Sequence, residues 1–555
     1  MARKYVLGLD YGTESGRALL VAVDNGEEVA TAVLPYPHVV IDTELPGTGE
    51  KLPPDWALQH PGDWLQVMET VIPQVLQESG ISGDDIVGIG VDFTACTIIP
   101  VDEAFTPLSL LDQWAAEKHA WPKLWKHHGA QAQADRINDL AIKTNADFLP
   151  RYGGKVSSEW LFPKALQVLE EAPDVYNAAH KFIEAGDWIV WQLTGEEKRN
   201  ACAAGYKAIW DEGYPSPEFL GTLNPDFANI VEEKLSTDIY PMGARAGSLT
   251  EAVAAKLGLK AGTAVAVAAI DAHVAVPGSS VTQAGHMVMI MGTSLCHMVC
   301  GTEKKIIEGM AGVVKDGILP GMYGFEAGQA AVGDIFAWFI SNCVPKSAFD
   351  AADAEGLNIH DYLSREAEKL AVGESGVLCL DWWNGNRCVL VDAELSGMMV
   401  GMTLGTTPAE MYRAILESTA FGTYKIIRDL HAGGCPIDTL YACGGLPNNN
   451  PLCMQIFADV TGREIKIADS EQTVALGSAM WGAVAAGADE GGYDDIAEAA
   501  KNMAAIKAES FVPNATNHAS YQALFAEYEK LHDYFGRGDN PIMKTLKNIK
   551  NAARG

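Results

Sequence analysis

Apolar and polar positions fall in blocks along this chain, and the first block sets a pattern. Tyr5 to Leu9 is apolar, Asp10 to Ala18 (DYGTESGRA) is polar and carries glycine, and Ala18 to Val23 is apolar again. Two apolar runs around such a tip predict a β-hairpin. Glu27 to Tyr36 continues as strand, and the Pro- and Gly-rich residues 42–62 read as loop. A helix follows, with Asp63 as a candidate N-cap and Trp64, Val67, Met68, Val71, Ile72, Val75 and Leu76 at helical spacing. Pro73 predicts a kink or an early stop. Ile86 to Val91 is a strand that ends at Asp92, followed by the small-residue loop Phe93 to Thr97.

Residues 112–138 are dense in Trp and His and predict an amphipathic helix with Trp121, Leu124 and Trp125 inward. His127 and His128 are adjacent there, and neighbours on a helix point in different directions, which argues against a shared metal. Residues 152–173 predict a helix broken near Pro163, residues 182–195 another helix, and residues 200–213 a loop carrying Lys207. Ala264 to Ile270 is a seven-residue apolar run that fits a buried strand leading into Asp271. Residues 286–299 then repeat the opening device: apolar strand, Gly292-Thr293-Ser294 turn, apolar strand. Glu326 and Gly328 fall in a loop before a helix that starts near Gly333. Thr407 to Glu410 is a capping box with proline at the first helical position, opening a helix that stops at Gly433-Gly434. A strand, Thr439 to Ala442, runs into Gly444-Gly445, and Asn450-Pro451 start a helix that stops at Gly462. Val474 to Ala486 is a helix of small residues able to pack closely, and the basic tail from Gly536 reads as a surface helix or frayed end.

A length of 555 residues is too long for one core and predicts two large domains. The formal net charge of -32 argues against a nucleic-acid partner, which would need a basic face. No stretch of about twenty apolar residues occurs, so no membrane span is expected, and the start does not read as a signal peptide. The ten cysteines are scattered without a CxxC pair, which points to reduced thiols and a cytoplasmic protein. Cys296, His297 and Cys300 have metal-ligand chemistry but lie in a strand with no second ligand pair nearby.

Those patterns give the opening hairpin a candidate role. Gly12 and Gly16 permit tight backbone and let main-chain N–H groups approach an anion. Thr13 and Ser15 add hydroxyl donors and Arg17 a cation, while the carboxylate of Asp10 makes sense there with a divalent cation. An ordinary hairpin with a polar turn is the alternative. The echo at Gly292 and Thr293, about half the chain away, favours two related domains that grip one nucleotide's phosphates across a cleft. Asp271, at the end of a buried strand, is partly desolvated and so more basic, as a general base must be; an N-cap is its other reading. Lys207 is a surface lysine or an anion clamp, and Gly444-Gly445 lets a flat adenosine lie against backbone.

Taken in order, DYGTESGRA at 10–18, SSEWLFPK at 157–164, AAIDAHVAVPG at 268–278, MGTSLCHM at 291–298, AEMYRAILESTAFG at 409–422 and CGGLPNNNPLCMQIFADVTG at 443–462 resemble the FGGY family of carbohydrate kinases over nearly the whole chain. The resemblance implies an α/β fold of two actin-like (ribonuclease H-like) domains with an ATP and sugar cleft between them. The N-terminal domain would span 1–282, the C-terminal domain 283–535 and a basic tail 536–555. It implies ATP and Mg²⁺, with Asp10 holding the metal through water. Asp10, Gly12, Thr13, Ser15 and Arg17 match the first phosphate motif, and Gly292 and Thr293 the second. Gly333, Gly444, Gly445 and the Asn448–Asn449 pair match the adenosine site, where one extra loop residue leaves open which Asn makes the contact. Asp271 matches the catalytic aspartate, Ala95, Cys96, Lys207 and Glu326 match positions around the sugar, and Asp92 is a further pocket residue.

Within the family, GVDFTACT at 90–97, KLWKHHGAQAQADRI at 123–137, RYGGKVSSEWL at 151–161 and GFEAGQAAVGDIFAW at 324–338 are similar to members that phosphorylate L-ribulose in L-arabinose catabolism. DFTACT is the short stretch that points to ribulose, since members acting on glycerol or xylulose differ there. The alternatives are a kinase of xylulose, ribitol or a related polyol, a non-enzymatic nucleotide-binding protein of the same fold, and a sugar-responsive repressor, which would need a helix-turn-helix at one end. Neither nucleic acid nor membrane is an expected partner, and a homodimer is an open option.

Overall fold

The computed structural model describes residues 3–554. Two mixed sheets form its frame, each of seven strands. The first holds β1 (Tyr5–Tyr11), β2 (Ser15–Ala22), β3 (Glu28–Pro35), β4 (Ile86–Phe93), β5 (Arg245–Ser248), β6 (Ala264–Ala266) and β7 (Ala269–Ile270). Its order is β3-β2-β1-β4-β6-β5, with β7 also beside β4. The second holds β8 (His286–Met291), β9 (Leu295–Gly301), β10 (Gly312–Lys315), β11 (Tyr323–Gln329), β12 (Thr439–Cys443), β13 (Ile465–Ala468) and β14 (Ile506–Phe511), in the order β10-β11-β9-β8-β12-β13-β14. In each sheet an antiparallel hairpin leads, its first strand pairs in parallel with the next sheet strand, and an antiparallel strand closes the far edge. The repeat read from two short turns therefore extends to whole sheets.

Seven helices matter for the site: α1 (Pro61–Ser79), α2 (Leu161–Glu171), α3 (Ala201–Lys207), α4 (Asp271–Gly278), α5 (Gly333–Cys343), α6 (Pro408–Ala432) and α7 (Thr473–Ala486). Helix α6 has the expected capping box at Thr407 and Glu410 and lies in the core of the second sheet. Helix α7 follows β13 in sequence, yet it packs on β1 and β4 of the first sheet and against α4. Only glycine permits that approach. A Cβ on Gly90 would sit 1.8 Å from the Ser478 carbonyl oxygen, and one on Gly477 of α7 would sit 2.0 Å from that of Val274. A buried apolar cluster joins the two sheets through these helices, with Val6, Val274, Ala475 and Met480 on one side and Val288, Met298 and Cys443 on the other. No helix among the described residues is long and apolar enough to cross a membrane.

Several expected elements differ, each for a local reason. Residues 112–138 are mostly irregular, with a short turn of helix at Lys118–Ala120 and a regular helix only from Gln131 to Thr144. Pro122 sits where that helix was expected, and it restricts its own φ and the residue before it. Trp121 and Leu124 are buried nonetheless. Residues 182–195 divide into a strand, Lys181–Glu184, paired with Ile98–Val101, and a helix, Ala185–Thr194. The loop expected at 200–213 begins as α3, because the Asn200 side chain caps the N–H of Ala203 at 2.6 Å. Pro163 does not break α2; it lies in the first turn, where no N–H partner is needed. Helix α1 runs through Pro73, and its N-cap is His60 rather than Asp63. Asp63 instead accepts hydrogen bonds from His38, at 3.0 Å from the main-chain N–H and 2.7 Å from Nδ1. The run Ala264 to Ile270 makes two short strands, since Val267 turns its N–H to the Ala244 carbonyl. The C-terminal tail forms a helix, Ile542–Arg554.

Candidate active site

Three carboxylates converge at the carboxyl ends of adjacent strands. Parallel register places Asp10 of β1 opposite Asp92 of β4, and Asp92 opposite Ala269 of β7. Asp271 follows two residues on, as the first residue of α4 rather than its cap. Strand ends in such sheets are where ligands sit. Asp10 and Asp92 are buried neighbours whose carboxyls influence each other's ionisation. Burial pushes both carboxyls above the usual range, and Asp92 further because Asp10 is its neighbour. Ser478 of α7 donates to Oδ2 of Asp92, while its Oδ1 has no partner. Arg17 Nε lies 3.2 Å from Asp10 Oδ2, but out of line for a hydrogen bond, so that contact is electrostatic.

The first hairpin tip is held from outside. Gly12 donates to the Ser15 carbonyl at 2.9 Å, and Tyr36 donates its hydroxyl to the Gly12 carbonyl at 3.0 Å. Trp125 Nε1 donates to Thr13 Oγ1 at 3.1 Å, and Gln59 donates to the Thr13 carbonyl at 2.9 Å. The Thr13 hydroxyl thus accepts from protein and keeps its proton for a ligand. The second tip closes the same way, with Gly292 N–H on the Ser294 carbonyl at 3.0 Å. Gly333 and Gly444 press against it: a Cβ on Gly333 would lie 2.6 Å from the Gly292 carbonyl oxygen, and one on Gly444 would lie 2.5 Å from that of Met291. Gly445 opens a short helical turn, Gly445–Asn449, not expected from the sequence. There Asn448 donates to the Gly444 carbonyl and accepts from Lys507, and Asn449 donates to that of Gly445. Both asparagines are exposed.

A third group of residues lines the gap between the sheets. Cys96, after β4, has a left-handed φ of 49°, which is uncommon for a side-chain-bearing residue. Lys164 of α2 fixes that loop, donating to the carbonyls of Cys96 and Leu124 at 2.8 Å and of Lys123 at 3.2 Å. Lys207, at the end of α3, contacts both Glu326 oxygens, at 2.9 and 3.0 Å. Burial lowers the ammonium, but the carboxylate beside it outweighs this and holds Lys207 above its ordinary range. Burial alone would raise Glu326, and Lys207 overrides it and holds Glu326 well below the carboxylate range. His273 Nε2 lies 3.5 Å from Glu326, too long for a good hydrogen bond, and its ring packs on Tyr206. Asp271 is pushed up to about 7, chiefly by burial, although a 2.7 Å hydrogen bond from Ala272 N–H opposes the shift. It also feels Asp10, Lys207 and Glu326. An acid of that strength is half ionised near neutral pH and can take a proton from a hydroxyl.

Among the described residues, Asp10, Lys207, Asp271 and Glu326 therefore share one neighbourhood, with Cys96 beside Lys207, and each sheet carries one hairpin with a Gly-Thr tip. Residues 5–278 match the N-terminal domain of the FGGY family of carbohydrate kinases, and residues 287–486 match its C-terminal domain. The chain belongs to the FGGY family of carbohydrate kinases. It is a sugar kinase. It is similar to the ribulokinase of Geobacillus thermodenitrificans, with 55% identity over all of this chain and 98% of that one. It is equally similar to the ribulokinase of Halalkalibacterium halodurans, with 56% identity over 99% of this chain and 98% of that one. Among solved structures, ligand-bound xylulose kinase from Lactobacillus acidophilus superposes at a TM-score of 0.78 with 20% identity, covering 96% of this chain and 98% of that one. Gluconate kinase from the same organism superposes at 0.79 with 21% identity, covering 97% and 99%. Those two likenesses concern the fold.

Sequence reasoning about this FGGY kinase missed the residues that hold the site. Lys164, Ser478, His273, Trp125 and Gln59 each act through a partner remote in sequence; the quoted motifs span Lys164, His273 and Trp125 without giving them these roles, and nothing pointed to Ser478 or Gln59. The Cys296-His297-Cys300 segment is strand β9, and His297 there meets Thr423 Oγ1 at 3.1 Å in the core. A cavity of about 730 Å³ lies outside the gap, lined among others by Asp147, Arg151, Asp211 and Phe219, and contains none of the kinase-motif residues.

Proposed function

We propose that this kinase transfers the γ-phosphoryl group of ATP to the 5-hydroxyl of L-ribulose. The observation that carries the sugar assignment is full-length identity of 55% to relatives named ribulokinase. The loop DFTACT at 92–97 supports it, because Lys164 fixes that loop against the gap that holds Lys207 and Glu326. Asp271 accepts the hydroxyl proton as the sugar oxygen attacks the γ-phosphorus in line. Lys207 and Glu326, ionised and paired, orient the hydroxyls of the sugar. The tips at Gly12-Thr13 and Gly292-Thr293 hold the phosphates by main-chain N–H and hydroxyl donors, while Gly444, Gly445 and one of Asn448 and Asn449 receive the adenosine. Positioning and electrostatics supply most of the acceleration.

The donor set at Asp10 fits Mg²⁺: two adjacent carboxyls, all oxygen, with Asp92 Oδ1 lacking a partner. Asp10, with Asp92 behind it, would hold the ion, which supplies charge neutralisation for the phosphates when bound. The ten cysteines, all unpaired, support a reducing compartment, the cytoplasm. A coupled ADP-release assay over L-ribulose, D-ribulose, xylulose and ribitol tests the assignment. L-Ribulose gives the highest kcat/KM; a higher value for xylulose or ribitol overturns the sugar assignment and leaves the kinase reading.

A further inference from the structure

The gap contains a cation that the roles above do not use. Arg387 sits in the loop after Trp383, half-buried, with its side chain against Gly328 of β11. That loop is rigid. Asn386 and Asp392 exchange main-chain hydrogen bonds at 2.9 and 2.8 Å, and the Asn386 side chain takes the Leu390 N–H at 3.0 Å. The arginine stem packs over Gly328, where a Cβ would lie 3.7 Å from Arg387 Cδ, an ordinary contact distance. Gly328 pairs with Cys296 of β9, the strand that leaves the second phosphate tip. Thr293 is three residues before Cys296, about 10 Å of strand.

Charge makes the position informative. Arg387 feels Cys296, Glu159 and Glu326, yet among the described residues it forms no ion pair within 4.0 Å and no hydrogen bond. Glu326 is already neutralised by both contacts from Lys207. Cys296 in turn feels Arg387, Glu326, Asp271 and Lys207, so these charges share one neighbourhood. A half-buried arginine without a protein partner, on the β11 face that also carries Glu326, suits a planar anion with several oxygens.

We propose that Arg387 is the cation that receives the transferring phosphoryl group, contacting its oxygens during transfer and the phosphate ester of the product afterwards. This rests on the kinase reading above. In the step, the bond from the γ-phosphorus to the ADP oxygen breaks and its electron pair leaves with ADP. The bond from the sugar oxygen to phosphorus forms, and the hydroxyl proton passes to Asp271. Arg387 exchanges neither atom nor electron; it offsets charge on the oxygens.

The test uses the full chain with Arg387→Ala, Arg387→Lys and Glu159→Gln. Steady-state kinetics gives kcat and KM, and calorimetry gives the affinities of L-ribulose and L-ribulose 5-phosphate. Arg387→Ala lowers kcat by about 10²-fold or more, the usual loss for a group aimed at transition-state charge, and leaves L-ribulose affinity within twofold, which also reports a folded chain. The sugar phosphate binds roughly tenfold or more weakly, as expected for a lost hydrogen bond to a charged group. Added guanidinium chloride restores part of the rate, and Arg387→Lys is intermediate. If the alanine variant does not fold, the lysine variant decides by its sugar-phosphate affinity: wild-type affinity there overturns the proposal. So does kcat within threefold of wild type in folded Arg387→Ala, or weakened L-ribulose binding at unchanged kcat. Glu159→Gln reproducing the loss would show an arginine–glutamate latch between the sheets instead. Wild type inactive on L-ribulose refutes the sugar assignment alone, and the same variants are then run with whichever sugar it accepts.

Discussion

The two sheets share a topology, and their equivalent positions carry opposite chemistry. In the first, the parallel pair before the phosphate tip is Asp10 and Asp92; in the second, the equivalent pair is Ile290 and Cys443. Both tips then read Gly-Thr. One copy of the frame thus concentrates carboxylates at its strand ends, while the other leaves those positions apolar and presents backbone at Gly292, Gly444 and Gly445. The difference teaches a division of labour. Acid chemistry needs desolvated carboxylates within reach of one another, and a nucleotide base needs bare backbone without charge. A single frame used twice supplies both, because its strand ends tolerate either a buried acid pair with satisfied neighbours or an apolar one.

Breaking the acidic half gives the largest expected effect. Asp271→Asn lowers kcat by about 10²- to 10⁴-fold, on the scale of a lost general base, with ATP affinity by titration unchanged; near-normal turnover would refute the assignment. The wild-type rate falls as pH drops below about 7, the value to which burial pushes Asp271. Stability follows the opposite sign. The folded chain binds the Asp271 proton more tightly than the unfolded chain, so ionising this carboxyl costs stability as pH rises from 3.8 to about 7. Asp271→Asn should therefore melt higher than wild type at pH 8, and the advantage should close as pH falls towards 4.

Importing the acid into the other half is the second test. Cys443→Asp places a carboxylate at a buried site without the partners that Asp92 has, and should cost about 2–4 kcal/mol in urea unfolding, as expected for an uncompensated buried charge. Equal stability would mean that the two frames are interchangeable at this position. Next comes Lys207→Met, which removes the bidentate partner of Glu326 and should raise the KM for sugar roughly tenfold or more, given the worth of charge-assisted hydrogen bonds, while the KM for ATP stays put. The smallest effect lies in the apolar half. Of Asn448→Ala and Asn449→Ala, one should raise the KM for ATP about fivefold, the worth of about one hydrogen bond, and the other should leave it unchanged.

Some of this was legible in the chain because the signal is local. Strand, glycine-bearing tip and strand lie within twenty-odd residues, and DYGTESGRA and MGTSLCHM show both copies. The acids at Asp92 and Asp271 are legible because each directly follows an apolar run. Local pattern failed at residues 112–138, where aromatic spacing suggested a helix but Pro122 and contacts with the preceding loop, such as Leu124 N–H on the Ala57 carbonyl, prevailed. It failed at 200–213 for the opposite reason: small residues read as loop, but the Asn200 cap and burial stabilise α3.

By itself the sequence determined two hairpins, the glycines at their tips, the acids at the strand ends and the capping of α6, since each depends on residues a few positions apart. Only the tertiary structure decided which charges meet. Lys207 finds Glu326 across 119 positions, and Ser478 finds Asp92 across 386. It also decided that α7 belongs, by packing, to the first sheet, because Gly8, Gly88 and Gly90 let its backbone approach where no side chain would fit. Pairings at that range depend on how two copies of one frame are set against each other, and no local pattern of hydrophobic and polar positions records that.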